Sequence, residues 1–171
     1  MEGSQGRNEP RLLGIGDLDA CIALDRSALD GLWTPQQWAR ELSDDKRIAL
    51  GIKHDDKHLI ALAAGWLVAD ELQITVVAVD PGRRRQGLGF RITKTLIQWG
   101  WRTGAVEASL DVSSNNESAI ALYASLGFRT TGSRSNYYRD GSDALLQWLK
   151  IEPGRDIHTE ETDNSKLFGI D

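Results

Sequence analysis

The chain has 171 residues, of which 40% are hydrophobic, and it carries a net charge of -5 and a single cysteine. This composition predicts one soluble domain with a sizeable core, because no Gly/Ser/Pro-rich linker divides the chain, and the lone Cys21 excludes an internal disulfide. The negative charge argues against nonspecific nucleic-acid binding, and the lack of a signal-peptide core or other long apolar run predicts a cytoplasmic protein without membrane contact.

The first seventy residues predict two helices and a strand hairpin. A short strand is expected near residues 11–13 and a helix over about 17–29. The second helix should begin after Thr34-Pro35, where Thr caps the helix and Pro occupies its first turn. Strands over 47–53 and 59–68 flank the polar turn H-D-D-K. His54 and His58 have the spacing of a zinc-binding helix, but a solvated turn is the better interpretation, so no metal site is predicted.

A strand, a glycine-bearing turn and a helix then follow one another. Residues 72–79, L-Q-I-T-V-V-A-V, are rich in β-branched side chains and end at Asp80-Pro81-Gly82. Two apolar stripes at helical spacing predict a helix buried on two sides. The first stripe comprises Leu88, Ile92, Leu96 and Trp99, and the second comprises Phe90, Ile97 and Trp101. The unpaired N–H groups and the dipole at the helix N-terminus suit a phosphate, and Gly87 and Gly89 would let the backbone approach it.

Two known phosphate-binding motifs do not fit this turn. Gly82 and Gly87 have the spacing of a Walker A loop, but Leu and Gly follow where Lys and Ser or Thr are required, which disfavours a nucleotide triphosphatase. The dinucleotide-binding fingerprint requires a glycine three residues after Gly89, where this chain has Ile92. What remains is the pattern R-x-x-G-x-G over residues 84–89.

The rest of the chain predicts a strand, a helix and a final hairpin. A strand is expected over 106–112, and strands over 128–134 and 144–151 would pair as a hairpin. Between them, a helix begins at Asn116, has the apolar face Ala119, Leu122, Tyr123 and Leu126, and ends at Gly127. The pattern of elements predicts an α/β (α+β) fold with a mixed central sheet and helices on both faces.

The residues from Asp111 to Phe128, D-V-S-S-N-N-E-S-A-I-A-L-Y-A-S-L-G-F, sharpen the interpretation of the 84–89 loop. Together the two motifs resemble the core of the GCN5-related N-acetyltransferase (GNAT) superfamily, in which R-x-x-G-x-G binds the pyrophosphate of acetyl-coenzyme A. Within it, the chain most resembles the RimI-type ribosomal-protein N-terminal alanine acetyltransferases, which share A-V-D-P, A-I-A-L-Y-x-S-L-G-F and a later N-Y-Y. The match covers roughly residues 72–151, and the first seventy residues match only loosely.

The resemblance implies a single GNAT-like domain over residues 10–151, with a mostly antiparallel sheet and acetyl-coenzyme A as cosubstrate. The backbone around Val77 and Val79 would bind the pantetheine and thioester, and Asn116 would contact the coenzyme arm. The pyrophosphate loop would comprise Arg84, Arg85, Gln86, Gly87, Leu88, Gly89 and Phe90. No metal is implied.

Two residues are candidates for catalysis, because acetyl transfer requires a neutral amine and a proton for the departing thiolate. Tyr123 occupies the family's general-acid position, and the alternative is a core aromatic on a helix face. The family pattern places a Glu base twelve residues earlier, where this chain has the shorter Asp111. Asp111 would act through a water or orient the amine, unless it only caps the Asn115-Asn116 turn. Glu71 is the alternative base.

The acceptor expected from these residues is an N-terminal amine. An α-amine has a pKa of ~7.7 to 8.0, so roughly a tenth of it is neutral at pH 7, whereas Lys near ~10.4 requires a stronger base than Asp111. The resemblance implies the alanine N-terminus of a small-subunit ribosomal protein, with Tyr137 and Tyr138 over the peptide groove unless they are plain hairpin aromatics. Trp33 is expected near the peptide entrance. A lysine or small-amine acetyltransferase and a non-catalytic acyl-coenzyme A-binding module are the alternatives.

The two ends of the chain lack hydrophobic periodicity. Residues 1–9 are expected to be mobile, and residues 152–171 are expected to form an acidic, disordered tail. The domain itself should therefore span residues 10–151.

Overall fold

The computed structural model describes residues 8–153. The expectations of a mobile N-terminus and a disordered acidic tail fall on residues 1–9 and 152–171, so they lie almost entirely outside the described residues. Glu9, at the edge of the first segment, forms an ion pair of 2.6 Å with Arg91.

Seven strands of the described residues form one sheet. They are β1 (Arg11–Leu12), β2 (Arg47–Lys53), β3 (Leu59–Val68), β4 (Glu71–Val79), β5 (Glu107–Ser113), β6 (Arg129–Arg134) and β7 (Ala144–Lys150). Their spatial order is β1-β2-β3-β4-β5-β7-β6, and only β4 and β5 pair in parallel. The prediction of a mixed, mostly antiparallel sheet is confirmed. The final hairpin joins the sheet through its second strand, because β7 pairs with β5 and leaves β6 at the edge.

Four α-helices in the described part of the chain cover the sheet. They are α1 (Leu18–Leu29), α2 (Pro35–Ser43), α3 (Leu88–Arg102) and α4 (Glu117–Ser125). Alternate side chains of a strand point to opposite faces, and β3 accordingly serves two cores. Ala61 and Ala63 belong to the core formed with α3 and α4, while Leu62 and Ala64 belong to the core formed with α1 and α2. The predicted helices on both faces are confirmed.

The second apolar stripe of α3 is only partly buried, which corrects the expectation of a helix buried along two full stripes. Trp101 is 46% exposed. The reason is the neighbouring Gly100, which faces the sheet so closely that a Cβ there would lie 2.8 Å from Leu72 Cδ2. Since successive residues of an α-helix are turned by about 100°, the side chain that follows this contact points towards solvent.

Strand β4 pairs with β3 along its length but with β5 only at its start. The parallel register joins Glu71–Gln73 to Glu107–Ser109 and ends there. Beyond this point, β5 continues to pair with β7 as far as Ser113. The two parallel strands therefore diverge, and an opening forms between their C-terminal ends.

A β-bulge at Thr75 lies where the two strands separate. Ala64 pairs with Val76 and Gly65 pairs with Ile74, so the register skips Thr75, whose hydroxyl donates to the Ala64 carbonyl at 3.2 Å. The extra residue changes the face of the residues that follow: Ile74 belongs to the core under α3 and α4, and Val76 to the core under α1 and α2. Because a bulge bends and twists its strand, it directs the end of β4 away from β5.

Candidate active site

The opening between β4 and β5 is the entrance to a large cleft of about 1850 Å³. Its volume exceeds the ~300 to 1,000 Å³ of a typical small-molecule pocket, so it has room for a long cofactor together with an acceptor. The predicted site residues that line it are Trp33, Val77, Val79, Arg84, Arg85, Gly87, Leu88, Gly89, Phe90, Asp111, Asn116, Tyr123, Tyr137 and Tyr138. Gln86 is exposed in the same loop but does not line the cleft. The fold thus brings together residues that are far apart in sequence.

The N-terminus of α3 is open, unlike those of α2 and α4. Thr34 Oγ1 accepts the Gln37 N–H at 3.2 Å to cap α2, and Asn116 Oδ1 caps α4 in the same way. The residue before α3 is Gly87, which has no capping side chain and a φ of +75°. Within residues 8–153, the backbone N–H groups of 87–90 have no hydrogen-bond acceptor. These donors and the positive end of the helix dipole therefore offer a site for an anion such as pyrophosphate.

The two glycines of this loop have different surroundings. A Cβ at Gly87 would meet no atom within 4 Å, so this position faces open space beside the unpaired N–H groups. A Cβ at Gly89 would lie 3.2 Å from Leu122 Cδ2 and 3.5 Å from Val79 Cγ2. Gly89 thus allows α3 to pack closely against α4 and β4, and Gly87 provides the turn and the open approach. Arg84 reaches across to α1, where its Nη2 donates to the Ala28 carbonyl at 3.4 Å.

Within residues 8–153, no strand pairs with the cleft-facing edge of β4 beyond Gln73. The Asp80 N–H donates to the Ile60 carbonyl on β3 at 2.9 Å. Since successive N–H groups of a strand point to opposite edges, those of Val79 and Val77 point to the other edge, where β5 has diverged. An extended ligand that contains amides, such as the pantetheine arm of coenzyme A, fits this edge.

Tyr123 lies near the end of α4 with only 8% of its surface exposed. Its ring packs edge-on against Phe128, with 5.8 Å between the ring centroids. Burial raises the pKa of Tyr123 to about 12, and the neighbouring Tyr138 adds to this effect. Within the described residues, the Tyr123 hydroxyl makes no hydrogen bond to protein. It therefore keeps its proton at neutral pH and is available as a donor in the cleft.

Asp111 is exposed on β5, on the face opposite to that of Leu110 and Val112, which belong to the core formed with α3 and α4. Its Oδ2 forms an ion pair with Arg134 Nη1 at 3.2 Å, and the Arg134 guanidinium lies 5.6 Å from the Tyr137 ring centre. Tyr137 and Tyr138 are in edge contact at 5.1 Å. Burial raises the pKa of Tyr138, and the negative charge of Asp111 contributes further. One aromatic and charged cluster thus surrounds the carboxylate.

The alternative in which Asp111 only caps the Asn115-Asn116 turn is wrong. The Asn115 N–H donates to Ser113 Oγ at 3.2 Å, and the Asn116 N–H donates to the Ser113 carbonyl at 2.9 Å. The turn is therefore stabilised by Ser113, and Asp111 contacts Arg134 instead.

Glu71, the alternative base, lies deeper in the sheet than Asp111. It accepts a hydrogen bond from the Ser109 hydroxyl and is in register with Glu107, whose Oε2 accepts the Trp148 indole N–H at 3.1 Å. Ser109 precedes Asp111 by two residues, a distance of about 7 Å along a strand. Glu71 therefore lies where β4 and β5 are still paired, and Asp111 lies beyond the end of that pairing, in the open part of the cleft.

Sequence reasoning missed Asp25, which supports the part of the cleft that contains Trp33. The Asp25 side chain is buried, and its two oxygens accept the backbone N–H groups of Leu32 and Trp33 at 2.7 and 3.0 Å. A signal was present, because Asp25 follows Cys21 by four residues and so lies on the same, buried face of α1. A carboxylate on an apolar helix face requires hydrogen-bond partners, and these come from the adjoining loop.

The described residues contain neither a membrane-spanning helix nor a metal-binding cluster. No helix among residues 8–153 has the length and apolar character needed to span a membrane. In the same part of the chain, no group of three or more His, Cys, Asp or Glu side chains has a metal-binding arrangement. His54 and His58 lie in the β2–β3 turn, where the His54 N–H donates to the His58 carbonyl at 2.9 Å.

Known proteins are similar to this chain in sequence and in fold. The model of the acetyltransferase (GNAT) family matches residues 18–128. The [ribosomal protein bS18]-alanine N-acetyltransferase of Escherichia coli is 33% identical over 138 residues, which are 79% of this chain and 92% of that protein. The N-alpha-acetyltransferase RimI of Mycobacterium tuberculosis is 31% identical over 146 residues, with 80% and 90% covered. The crystal structure of the ribosomal-protein-S18-alanine N-acetyltransferase from Escherichia coli superposes with a TM-score of 0.78 at 31% identity, covering 89% of this chain and 99% of that one.

The matched segment begins at α1 and contains β4, the open N-terminus of α3, Asp111 and Tyr123. Arg134, Tyr137 and Tyr138, which also line the cleft, lie beyond the matched segment. The chain belongs to the acetyltransferase (GNAT) family and is an N-acetyltransferase that uses acetyl-coenzyme A.

Proposed function

We propose that this enzyme acetylates the N-terminal α-amine of a protein that begins with alanine, and that the protein is a small-subunit ribosomal protein. The observation that carries the proposal is the position of Tyr123 and Asp111 in one cleft, a buried proton donor on one helix and a carboxylate on the facing strand. The names of the relatives, which describe acetylation of the alanine of ribosomal protein bS18, support the choice of acceptor.

The cofactor half of the cleft would hold acetyl-coenzyme A through the protein backbone. The free N–H groups of residues 87–90 would donate to the pyrophosphate, with Arg84 and Arg85 contributing positive charge. The cleft-facing N–H groups of Val77 and Val79 would bind the pantetheine arm, and Asn116 would contact it from the start of α4. When bound, acetyl-coenzyme A supplies the thioester carbonyl carbon that the amine attacks.

Two proton transfers would take place in the acceptor half of the cleft. Asp111 would take a proton from the attacking amine, directly or through a water, and Tyr123 would donate to the departing sulfur. Because burial raises the pKa of Tyr123 to about 12, this hydroxyl keeps its proton until the sulfur develops negative charge. Direct transfer in a ternary complex would require no covalent enzyme intermediate, and the proposed proton donor and acceptor belong to α4 and β5.

The short side chain of Asp111 and its ion pair with Arg134 favour an α-amine as the acceptor. An α-amine is about a tenth neutral at pH 7, whereas a lysine amine is neutral in well under about a thousandth of molecules. Asp111 is short, partly exposed and paired with Arg134, so it is better suited to the less demanding deprotonation. Trp33, Tyr137 and Tyr138 would close the groove around a small first side chain such as that of alanine.

A competition experiment tests this proposal. Purified protein receives acetyl-coenzyme A with an Ala-starting peptide and the same peptide N-terminally blocked but containing lysine, at about pH 7 and about pH 9, with products read by mass spectrometry. At about pH 7, we expect the Ala-starting peptide to be acetylated faster than the blocked peptide that offers only lysine. Modification confined to lysine or to an added polyamine would contradict the proposal, and binding of acetyl-coenzyme A without any transfer would favour a non-catalytic module. A ribosomal-protein substrate also supports the proposal that the enzyme acts in the cytoplasm.

A further inference from the structure

The loop between α1 and α2, residues 30–34, forms one wall of the cleft in an irregular conformation. Asp30 and Gly31 both have left-handed backbones, with φ values of 54° and 74°. Leu32 and Trp33 line the cleft, and Leu32 is 54% exposed. A segment with this much exposed surface and unusual backbone geometry requires hydrogen bonds from elsewhere to hold one conformation.

Asp25 on α1 supplies those hydrogen bonds. Its Oδ1 accepts the Leu32 N–H at 2.7 Å, and its Oδ2 accepts the Trp33 N–H at 3.0 Å. Oδ2 also accepts the indole N–H of Trp38 on α2 at 2.7 Å, and the Asp25 carbonyl accepts the Gly31 N–H at 3.3 Å. One residue, only 1% exposed, thus connects α1, the loop and α2.

We propose that Asp25 is a positioning residue that holds the α1–α2 loop in the conformation that binds the acceptor. This inference rests on the proposed function, because it identifies the wall containing Leu32 and Trp33 as the acceptor side of the cleft. Asp25 does not reach the cleft itself, since its oxygens are occupied by loop N–H groups and the Trp38 indole. Its contribution to activity passes entirely through the loop.

The carboxylate is essential to this arrangement, because three N–H donors converge on its two oxygens. An asparagine of the same shape has only one acceptor oxygen, and its NH₂ group would face an N–H that needs an acceptor. Losing a hydrogen bond to a buried charged group leaves a buried donor unsatisfied, which frees the loop to leave its binding conformation. The chemistry at Asp111 and Tyr123, and the cofactor site at α3, would not change.

The test is Asp25→Asn, measured in steady-state kinetics with the Ala-starting peptide. We expect KM for the peptide to rise about tenfold or more, while kcat stays within about threefold and the Kd of acetyl-coenzyme A is unchanged. Hydrogen exchange of residues 30–34, followed by mass spectrometry, should become faster in the same variant. A fall in kcat at constant KM, or unaltered exchange in the loop, would overturn the inference.

A matched control separates positioning from general loss of stability. Glu41 is also a buried acid, on α2, and its Oε2 pairs with Arg47 Nη1 at 2.7 Å outside the cleft lining. We expect Glu41→Gln to lower the melting temperature without changing KM for the peptide. If Glu41→Gln raises KM as much as Asp25→Asn does, the effect is one of stability and the inference fails.

Two further measurements cover the remaining outcomes. Trp38→Phe removes one donor to Asp25 and leaves both loop N–H bonds, so we expect it to raise KM for the peptide by only about two- to fourfold. This variant tests the inference even if Asp25→Asn does not fold. An unchanged KM would contradict the positioning role of Asp25. If the wild-type enzyme acetylates a different amine, the proposed function fails, but the same KM measurement with that amine still decides whether Asp25 positions the acceptor wall.

Discussion

The ring and the hydroxyl of Tyr123 have different surroundings. Its ring packs against Phe128 in the core, while its hydroxyl lies at the cleft without a protein partner among the described residues. Burial disfavours the charged phenolate and so raises the pKa of Tyr123 to about 12. The side chain therefore serves the core through its ring and the cleft through its hydroxyl, and a substitution that removes only the hydroxyl separates the two.

Tyr123→Phe should lower kcat by ~10²-fold or more, because the departing sulfur loses its proton donor. The Kd of acetyl-coenzyme A should stay nearly constant, since the ring remains in place. Steady-state kinetics and calorimetry measure the two quantities. Wild-type turnover in a folded Tyr123→Phe protein would assign this residue to the core alone.

The choice between Asp111 and Glu71 as base is also testable at single residues. Asp111→Asn should lower kcat/KM by about tenfold or more at pH 7 and by less near pH 9, where the α-amine loses its proton to solvent. The kcat/KM of Glu71→Gln should stay within about threefold of wild type, because Glu71 accepts the Ser109 hydroxyl in the paired part of β4 and β5. The opposite ranking of the two variants in the same assay would identify Glu71 as the base.

At the scale of elements, the N-termini of α2, α3 and α4 differ in whether a side chain caps them. Helices α2 and α4 begin with capping side chains, Thr34 and Asn116, which stabilise such a helix by about 1 kcal/mol. Helix α3 begins with Gly87 and lacks such a cap. Without such a cap, the N–H groups of residues 87–90 have no acceptor within residues 8–153, as the proposed phosphate site requires.

Gly87→Val should therefore weaken acetyl-coenzyme A binding at least tenfold. The valine side chain would occupy the space where the pyrophosphate approaches, at a φ of +75° that β-branched residues avoid. Calorimetry on the folded variant gives the affinity.

Gly104→Val is the matched control for backbone strain. Gly104 also has a positive φ, +107°, and open space around its Cβ position, but it follows the other end of α3 and does not line the cleft. We expect Gly104→Val to be destabilised without loss of acetyl-coenzyme A affinity. Equal losses of affinity in both variants would mean that strain, and not the blocked phosphate site, weakens binding.

At the scale of the whole molecule, the cleft is a property of the sheet. The bulge at Thr75 and the short pairing of β4 with β5 open the sheet, while β7 keeps β5 in place from its other side. Helices α3 and α4 cover one face, and α1 and α2 cover the other up to the cleft. In the proposed mechanism, the cofactor and the acceptor would therefore approach the same opening from opposite faces of the sheet.

The stability of the domain should fall steeply in alkaline solution. Burial raises the pKa of Cys21 from 9.0 to about 12 and that of Tyr123 from 10.0 to about 12. Both groups hold their protons more tightly in the folded state, so their contribution is complete below about pH 9 and is lost as the pH rises towards about 12. At ~1.36 kcal/mol per pKa unit, the Cys21 contribution alone is about 4 kcal/mol.

Urea unfolding at a series of pH values measures this loss. Cys21→Ala should be less stable than wild type at pH 7, by about 1 kcal/mol, but its stability should decline less between about pH 9 and about pH 11. Parallel pH profiles for the two proteins would show that the thiol does not titrate with unfolding.

Much of the fold and the cleft followed from local patterns. The strands, the helices, the cap at Thr34 and the start of a helix at Asn116 were predicted close to their observed positions, because periodicity and capping chemistry act over a few residues. The family and its cofactor followed from two spaced motifs that the comparisons confirm. The burial of Trp101 was predicted wrongly, because an apolar stripe indicates a face but does not show how far the sheet beneath it extends.

The sequence by itself thus determined the type of each element, the order of the motifs and the acetyltransferase family. Only the tertiary structure decided where β4 leaves β5, that β7 lies between β5 and β6, that Arg134 pairs with Asp111, and that Asp25 holds the α1–α2 loop. The physical reason is that these features depend on partners distant in sequence. A bulge is set by the register with the neighbouring strand, and a carboxylate becomes a base, a cap or an anchor according to the donors that folding brings within about 3 Å of it.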